Sequence, residues 1–246
     1  MAEVAVTRQA GSVIWSDPAL LPMPEPRLFD PDWLRIAGHL TGTSTGRNTA
    51  WFVHFAGRDM VLRHYWRGGM VGRIIADRYL RQPVAASRAM REFTLLRWMH
   101  AQGLPVPRAI AARFTPAGLW YKADLLMERI ADSTPLADRL ATAPLPPDHW
   151  AQIGAVIARM HALGVNHSDL NCRNILLDDH DRIWLIDFDK CDRRPLDNGK
   201  PGRWAQDNLD RLHRSLRKEQ GKVAGLHWSP PDWEALVAGY HADHPR

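Results

Sequence analysis

Two short stretches of the sequence combine the residue types that phosphotransfer chemistry requires. Residues 167–174 have the spacing His-x-Asp-x-x-x-x-Asn, in which Asp169 can accept a proton from an attacking hydroxyl group and the amide oxygen of Asn174 can bind a metal ion. The apolar run 183–186 predicts a short buried strand that ends at Asp187. A carboxylate at such a strand end can hold magnesium against nucleotide phosphates. The pattern therefore predicts a catalytic Asp169 and two metal ligands, Asn174 and Asp187.

Each stretch alone also fits a simpler interpretation, because an aspartate in a turn often only binds its own backbone. The two stretches occur in the order found in kinases, however. A strand candidate at 175–177 and a turn at 178–181 connect them. This context favours the catalytic interpretation.

A segment rich in glycine and hydroxyl residues, 42–49, precedes a predicted strand at 50–55. Glycine lets backbone N–H groups approach an anion closely, so Gly42 and Gly46 are candidates for contact with nucleotide phosphates. The segment has neither the Walker spacing nor G-x-G-x-x-G. An ordinary hairpin connection remains the alternative.

A kinase-like site also needs a fixed cation for the phosphates, usually a lysine paired with a glutamate on the next helix. No lysine precedes Lys122, so Arg63, on a predicted strand at 60–65, is the candidate. The segment 87–100 predicts a helix that carries Glu92, which could pair with Arg63. A surface arginine and an exposed glutamate are the alternatives, and Lys122 is a weaker competitor for the same role.

The segment 119–128 predicts another strand, after which the boundary between two lobes is expected. Residues 127–130 would form the hinge, where backbone groups can bind the adenine edge and apolar side chains can contact the ring, so Met127 and Glu128 are candidates for nucleotide binding. The predicted organisation is an extended, proline-rich arm (1–30), an N-terminal lobe that binds nucleotide phosphates (31–128) and a C-terminal lobe with the catalytic loop and the metal and acceptor sites (129–246).

The composition limits the class of protein. With 246 residues and 45% apolar content, the chain can bury a substantial core as one globular unit. It has no apolar run long enough for a membrane span and no basic start followed by an apolar block, so secretion is not expected. Cys172 and Cys191 are expected to be reduced thiols.

The formal net charge of +5 favours an anionic partner. Seven arginines lie between residues 63 and 91, with Tyr65, Trp66 and Tyr79 among them. This composition suits a membrane interface or a phosphorylated lipid, although a solvated charged face is the alternative. The chain is basic again after Asp189, which indicates an anionic acceptor near the catalytic loop.

Four stretches carry a resemblance to a known family. They are residues 61–69 (VLRHYWRGG), 103–107 (GLPVP), 167–171 (HSDLN) and 208–216 (NLDRLHRSL). On these motifs the chain resembles the lipopolysaccharide kinases, most closely those that act on 3-deoxy-D-manno-octulosonic acid (Kdo).

The resemblance implies an α+β, two-lobed protein-kinase-like fold, with a small antiparallel β lobe and a larger helical lobe. It implies transfer of the γ-phosphate of ATP, with Mg²⁺, to the 4-hydroxyl of Kdo on a lipid A precursor. It also implies a peripheral protein on the cytoplasmic side of the inner membrane. Asp189 replaces the glycine of Asp-Phe-Gly and Ala-Pro-Glu is absent, which makes protein substrates unexpected.

Two rival functions remain at this stage. A small-molecule kinase of the aminoglycoside or choline type shares the His-x-Asp motif, but its cationic acceptors call for acidic pockets. A catalytically silent basic module for membrane or RNA would be expected to lack Asp169, Asn174 or Asp187, and all three are present. Neither nucleic acid nor an obligate protein partner is expected.

Overall fold

The computed structural model describes residues 3–44, 50–65 and 79–242. The chain divides into two compact units: residues 1–101 with 107–129, and residues 102–106 with 130–246. As predicted, the chain combines a large antiparallel sheet with α-helices. This arrangement is compatible with a kinase-like fold.

The first unit is built on one antiparallel sheet, in which the described strands follow the order β1-β2-β7-β8-β5-β4-β3 and β6 pairs with β8. The strands are β1 (Ala5–Gln9), β2 (Ser12–Ser16), β3 (Leu40–Ser44), β4 (Ala50–Phe55), β5 (Arg58–His64), β6 (Tyr79–Leu80), β7 (Ala109–Ala117) and β8 (Trp120–Glu128). Helices α1 (Pro31–Ile36) and α2 (Arg88–Ala101) belong to the same unit. The predicted strands at 50–55 and 60–65 and the predicted helix over 87–100 are confirmed.

The two faces of this sheet bury different sets of side chains. Helix α2 packs against β7 and β8. On the opposite face, Leu62 and Leu126 pack in one cluster with Leu28 and Leu34. Side chains alternate between the two faces along a strand. Successive residues of β5 and β8 therefore project in turn towards α2 and towards the opposite face.

The expectation of an extended N-terminal arm is wrong for residues 5–16. They form the hairpin β1–β2, and β2 continues the sheet by pairing with β7. The turn uses positive φ at Ala10 and Gly11, which matches the twist of a two-residue hairpin. The prolines at positions 18 to 26, which suggested an arm, begin only after β2.

The second unit contains four α-helices and short strand pairs within its described residues. The helices are α3 (Leu136–Thr142), α4 (Pro147–Ala162), α5 (Arg203–Gln220) and α6 (Pro230–Ala242). The strands are β9 (Thr134–Pro135), β10 (Val165–Asn166), β11 (Ile175–Leu177), β12 (Ile183–Leu185) and β13 (Asp192–Arg193). Strand β11 pairs with β12 and β9, and β10 pairs with β13. The strands predicted on either side of the 178–181 turn are confirmed.

Two glycines allow α4 and α6 to pack closely. A Cβ atom on Gly154 would lie 2.0 Å from the carbonyl oxygen of Leu236, and one on Gly239 would lie 2.1 Å from that of Ala151. Any larger residue at either position would push the helices apart. This contact fixes α4, which together with the short strand β10 precedes the loop that carries the His-x-Asp motif.

Candidate active site

The His-x-Asp motif lies in a loop, here called the His-Asp loop (residues 167–174), that follows α4 and β10. Gly164 ends the helix at φ +74°, and its carbonyl oxygen accepts a hydrogen bond from the backbone N–H of Arg194 at 2.7 Å. A Cβ atom on Gly164 would lie 2.5 Å from the carbonyl oxygen of Arg194. Glycine is therefore required both for the turn and for the close approach of the two backbones.

Asn208 of α5 fixes the start of the His-Asp loop. Its side-chain oxygen accepts a hydrogen bond from the backbone N–H of His167 at 2.9 Å, and its amide nitrogen donates to Oδ1 of Asn166 at 3.0 Å. Asn166 in turn donates to Asp192 at 2.8 Å. Because Asn208 is buried, each of these bonds replaces water that cannot reach the site.

His167 joins the loop to the segment that precedes Asp187. Its Nε2 lies 3.0 Å from the carbonyl oxygen of Ile186, and its Nδ1 lies 3.3 Å from the backbone nitrogen of Asp169. A carbonyl can only accept and an N–H can only donate, so both contacts require the neutral ring with its proton on Nε2. Burial lowers the pKa of His167, against the opposing effect of its bond to Ile186.

Two asparagine side chains position Asp169. The carbonyl oxygen of Asp169 accepts hydrogen bonds from the amide nitrogens of Asn171 and Asn174, both at 2.9 Å. The residue itself is exposed, so its carboxylate is accessible to a substrate hydroxyl. The bond also orients Asn174, because an amide whose nitrogen is committed to Asp169 directs its oxygen elsewhere.

Asp187 lies two residues after β12, next to the His-Asp loop. Its backbone is left-handed, with φ +65°, a conformation that aspartate and asparagine tolerate better than most residues. The preceding residue, Ile186, donates its backbone N–H to the carbonyl oxygen of Asn174 at 3.0 Å. The segments that carry Asn174 and Asp187 are therefore joined through their backbones.

Asn174 and Asp187 have the donor types that fit a magnesium ion. Among the described residues, no group of three or more His, Cys, Asp or Glu side chains is arranged to hold a metal. Magnesium does not need such a cage, since it is commonly held by one or two protein oxygens together with phosphate oxygens and water. One amide oxygen and one carboxylate meet that requirement.

In the first unit, Arg63 and Glu92 form the predicted ion pair. The guanidinium of Arg63 donates to Oε2 of Glu92 and, at 3.1 Å, to the hydroxyl of Tyr65. Tyr65 donates its own proton to the same carboxylate oxygen at 2.5 Å. Burial, and then the charge of Glu92, raise the pKa of Tyr65 well above its ordinary value, so the tyrosine remains a donor at neutral pH.

Arg63 and Lys122, the two candidates for the phosphate cation, project from opposite faces of the sheet. Arg63 lies opposite Leu125 in the pairing of β5 with β8, so the two side chains share a sheet face. Lys122 is three residues before Leu125 and therefore projects from the other face. Glu92 contacts Arg63 from α2, on the face that Lys122 does not share.

The remaining sequence-based candidates have mixed outcomes. Gly42 lies at a β-bulge in β3, where a Cβ atom would be 3.2 Å from the ring of Phe52, whereas Gly46 falls outside the described residues. Met127 is buried at the end of β8. The backbone N–H of Glu128 donates to the carbonyl oxygen of Arg108 at 2.9 Å, so this N–H is already engaged within the first unit.

Three residues of α5 that support the His-Asp loop had no role predicted from the sequence, although Asn208 and Ser215 lie in the stretch 208–216 that carries the family resemblance. Besides Asn208, Ser215 accepts a hydrogen bond from the backbone N–H of Cys172 at 3.0 Å, and Glu219 binds the guanidinium of Arg173 at 2.8 Å. This hydrogen bond from Arg173 is the main reason why the pKa of Glu219 is lowered. The three lie at positions i, i+7 and i+11 of α5, so one stripe of this helix holds the loop.

Cys172 and Cys191 are buried thiols that are not joined in a disulfide. Burial raises the pKa of the Cys172 thiol, which makes it a poor nucleophile at neutral pH. Cys191 has a structural contact, since the backbone N–H of Ser168 donates to its sulfur at 3.3 Å. Packing and hydrogen bonding therefore account for the presence of a cysteine at each of these positions.

Comparison with known proteins identifies the family. The lipopolysaccharide kinase (Kdo/WaaP) family matches residues 31–240. A 3-deoxy-D-manno-octulosonic acid kinase of Vibrio parahaemolyticus is 42% identical over 230 residues, which cover 94% of each chain. Proteins of the same name from Vibrio vulnificus (44% over 219 residues, 89% of this chain and 90% of the relative) and Photobacterium profundum (43% over 227 residues, 92% and 94%) are similarly close. The chain therefore belongs to the lipopolysaccharide kinase (Kdo/WaaP) family and is a phosphotransferase that acts on a hydroxyl group.

Proposed function

We propose that this protein transfers the γ-phosphate of ATP to the 4-hydroxyl of Kdo on a Kdo-lipid A precursor. The observation that supports this most strongly is the arrangement around Asp169. Its carboxylate is accessible, while its backbone is held by Asn171, Asn174 and His167. A general base must reach the proton that it removes and must be held in place while it does so.

The proposed roles in the second unit follow from these contacts. Asp169 accepts the proton of the attacking hydroxyl group. Asn174 and Asp187 would hold Mg²⁺, which neutralises charge on the phosphates when it is bound. The neutral ring of His167 has a positioning role, because both of its nitrogens are engaged by backbone groups.

In the first unit, the proposed phosphate cation is Arg63. Its guanidinium is fixed by Glu92 and Tyr65, and a planar, pre-oriented fork suits phosphate oxygens. We assign Gly42 and Gly46 to the segment near the phosphates. Met127 and Glu128 are assigned to the adenine contact, through groups other than the engaged N–H of Glu128.

The charge of the protein surface supports an anionic acceptor. Five basic residues that follow Asp189 are exposed: Lys190, Arg193, Arg194, Lys200 and Arg203. A cationic acceptor, as in the aminoglycoside or choline type of kinase, would be repelled by such a segment. Kdo and the phosphates of lipid A are acidic, and the relatives are named for Kdo.

The acceptor also suggests where the protein works. A lipid A precursor is embedded in a membrane, so we propose peripheral attachment to the cytoplasmic side of the inner membrane. No helix within residues 3–44, 50–65 and 79–242 is both long and apolar enough to cross a bilayer.

The decisive experiment is phosphate transfer from radiolabelled ATP to a Kdo-lipid A precursor, with the product position assigned by NMR. Wild-type protein should label the 4-hydroxyl, and Asp169→Asn should lower kcat by about 10²- to 10⁴-fold, the usual contribution of a general base. Asp179→Asn, which alters an exposed aspartate in the same unit, is the matched control. Near-normal turnover by Asp169→Asn, or transfer to another hydroxyl, would refute the proposal.

A further inference from the structure

Two leucines at one edge of the first unit's sheet expose most of their side chains. Leu80 is 64% exposed and Leu119 is 79% exposed. They are neighbours, because Leu80 lies opposite Trp120 in the pairing of β6 with β8 and the backbone N–H of Arg81 donates to the carbonyl oxygen of Leu119 at 2.8 Å. We call this surface, formed by residues 80, 81, 119 and 120, the leucine edge.

The apolar side chains of the leucine edge are not part of the core beneath them. Tyr121, the next residue of β8, is buried and stacks on Phe114 with ring centroids 4.9 Å apart. Because side chains alternate along a strand, Trp120 projects from the face opposite Tyr121. Exposed apolar side chains that lie together, rather than singly, mark interaction surfaces.

The two stretches of sequence that contain the leucine edge carry charge of one sign. Residues 79–91 and 115–122 contain Arg81, Arg88, Arg91 and Lys122 but no aspartate or glutamate. Lys122 lies two residues after Trp120, on the same sheet face. A tryptophan and two leucines bordered by cations combine the features by which peripheral proteins enter an anionic lipid surface.

We propose that the leucine edge inserts into the surface of an anionic bilayer, with Leu80 and Leu119 entering the acyl boundary and Arg81 and Lys122 facing the lipid headgroups. This inference rests on the proposed function in one respect, which is that a lipid-linked acceptor would lie in such a bilayer. A protein partner fits less well. A partner of standard size contributes roughly 20–30 residues to an interface, whereas the leucine edge offers three large apolar side chains.

Vesicle flotation tests the leucine edge directly. Wild-type protein should float with vesicles of equimolar phosphatidylethanolamine and phosphatidylglycerol, and less with phosphatidylcholine alone. Leu80→Ser with Leu119→Ser should weaken binding at least about tenfold, because two favourable transfers of leucine from water are lost. The control is Met23→Ser with Ile36→Ser, which removes two apolar side chains of the same unit that are 83% and 78% exposed.

Three results would overturn the proposal. The first is wild-type flotation by the leucine variant, and the second is an equal loss in the control. The third is a wild-type dimer in sedimentation velocity without vesicles that the leucine variant abolishes, which would assign the edge to a second copy of the chain. Melting temperatures of both variants would identify any loss that comes from unfolding.

A parallel assay separates this inference from the proposed function. With a deacylated, water-soluble Kdo acceptor, the leucine variant should keep wild-type turnover, whereas with the acceptor embedded in anionic vesicles its turnover should fall in step with flotation. If wild-type protein phosphorylates neither acceptor, the proposed function fails, while flotation still decides the role of the leucine edge. Loss of turnover on the soluble acceptor would contradict the inference, since Leu80 and Leu119 would then act in catalysis or folding.

Discussion

Arg63 and Glu92, on β5 and α2, form an ion pair in which the carboxylate side chain is only 2% exposed and the arginine side chain 13%. Tyr65 donates to the same carboxylate oxygen, so two donors from one short stretch of chain bind Oε2 of Glu92. A buried carboxylate of this kind is costly without its partners. We therefore expect the pair to form without a bound nucleotide, which would hold the guanidinium in place for an anion.

A double-mutant cycle tests whether Arg63 and Glu92 act as one functional unit. Arg63→Ala should raise the KM for ATP or lower kcat, and Glu92→Gln should do the same by about tenfold or more, because a charge-assisted hydrogen bond contributes about 1.5–3 kcal/mol. The double variant should be little worse than Arg63→Ala alone. Steady-state kinetics in ATP provide the measurement.

The control for this cycle is Arg35→Ala, which removes an arginine from an exposed ion pair with Asp32 at 3.4 Å. Exposed pairs of this kind contribute little, so its kinetics should match the wild type. Strictly additive losses in the cycle, or normal kinetics in Arg63→Ala, would assign the phosphate cation to another residue. Lys122 is the next to test.

Asp187→Asn should raise the magnesium concentration needed for ATP binding as well as lower turnover. Asparagine keeps the size of the side chain and tolerates the left-handed backbone at φ +65°, but it removes the charge that attracts a divalent ion. Magnesium titrations of ATP binding and of turnover measure both effects. The control is Asp132→Asn, which has a similar backbone conformation, with φ +46° at an exposed position, and should leave the magnesium dependence unchanged. An unchanged magnesium dependence in Asp187→Asn would exclude Asp187 as a ligand.

The parts of the site that sequence predicts are those encoded by local spacing. The order of Asp169, Asn174 and Asp187 is visible because the residues lie within one loop and the strands that follow it. The pairing of Arg63 with Glu92 could also be predicted, because a strand and the next helix commonly pack together. The bond from Asn208 to His167 spans 41 residues, and no local pattern specifies that partner.

The N-terminal hairpin shows the same limit in the fold. Ser12–Ser16 has a short apolar centre, but whether it is a strand depends on its pairing with β7, about a hundred residues later. Strand preference of this kind is set by tertiary context more than by composition. The prolines after it suggested an extended arm only because the partner strand was not identified.

Asn208→Leu should destabilise the protein and lower kcat together. The variant leaves the buried N–H of His167 without its acceptor, which costs about 1–3 kcal/mol, and it frees the start of the His-Asp loop. Thermal unfolding and turnover at saturating ATP measure the two effects. Gln206→Leu changes an exposed residue on the same helix and should alter neither, whereas a loss of stability in Asn208→Leu with normal kcat would show that the asparagine does not position Asp169.

The last prediction concerns Asp178, the buried carboxylate that closes the turn between β11 and β12. Burial opposes its ionisation, but hydrogen bonds from Trp184 Nε1, from the backbone and side chain of Arg182 and from the backbone of His180 outweigh it and lower the pKa of Asp178 to about 2. A carboxyl whose pKa is lower in the folded than in the unfolded state stabilises the fold above its unfolded pKa, about 3.9. That stabilisation is lost as the pH falls from about 4 towards about 2.

Asp178→Asn should therefore lower the free energy of unfolding at pH 7 by about 1.5–3 kcal/mol, the value of hydrogen bonds to a charged group. The difference from the wild type should shrink below pH 4, because protonation then removes the same charge from the wild-type protein. Urea unfolding at several pH values measures both parts of this expectation. Asp179→Asn, at an exposed neighbouring position, is the control and should follow the wild-type curve. If the loss of unfolding free energy in Asp178→Asn stays constant from pH 7 to acid, the turn is stabilised by the shape of the side chain rather than by its charge.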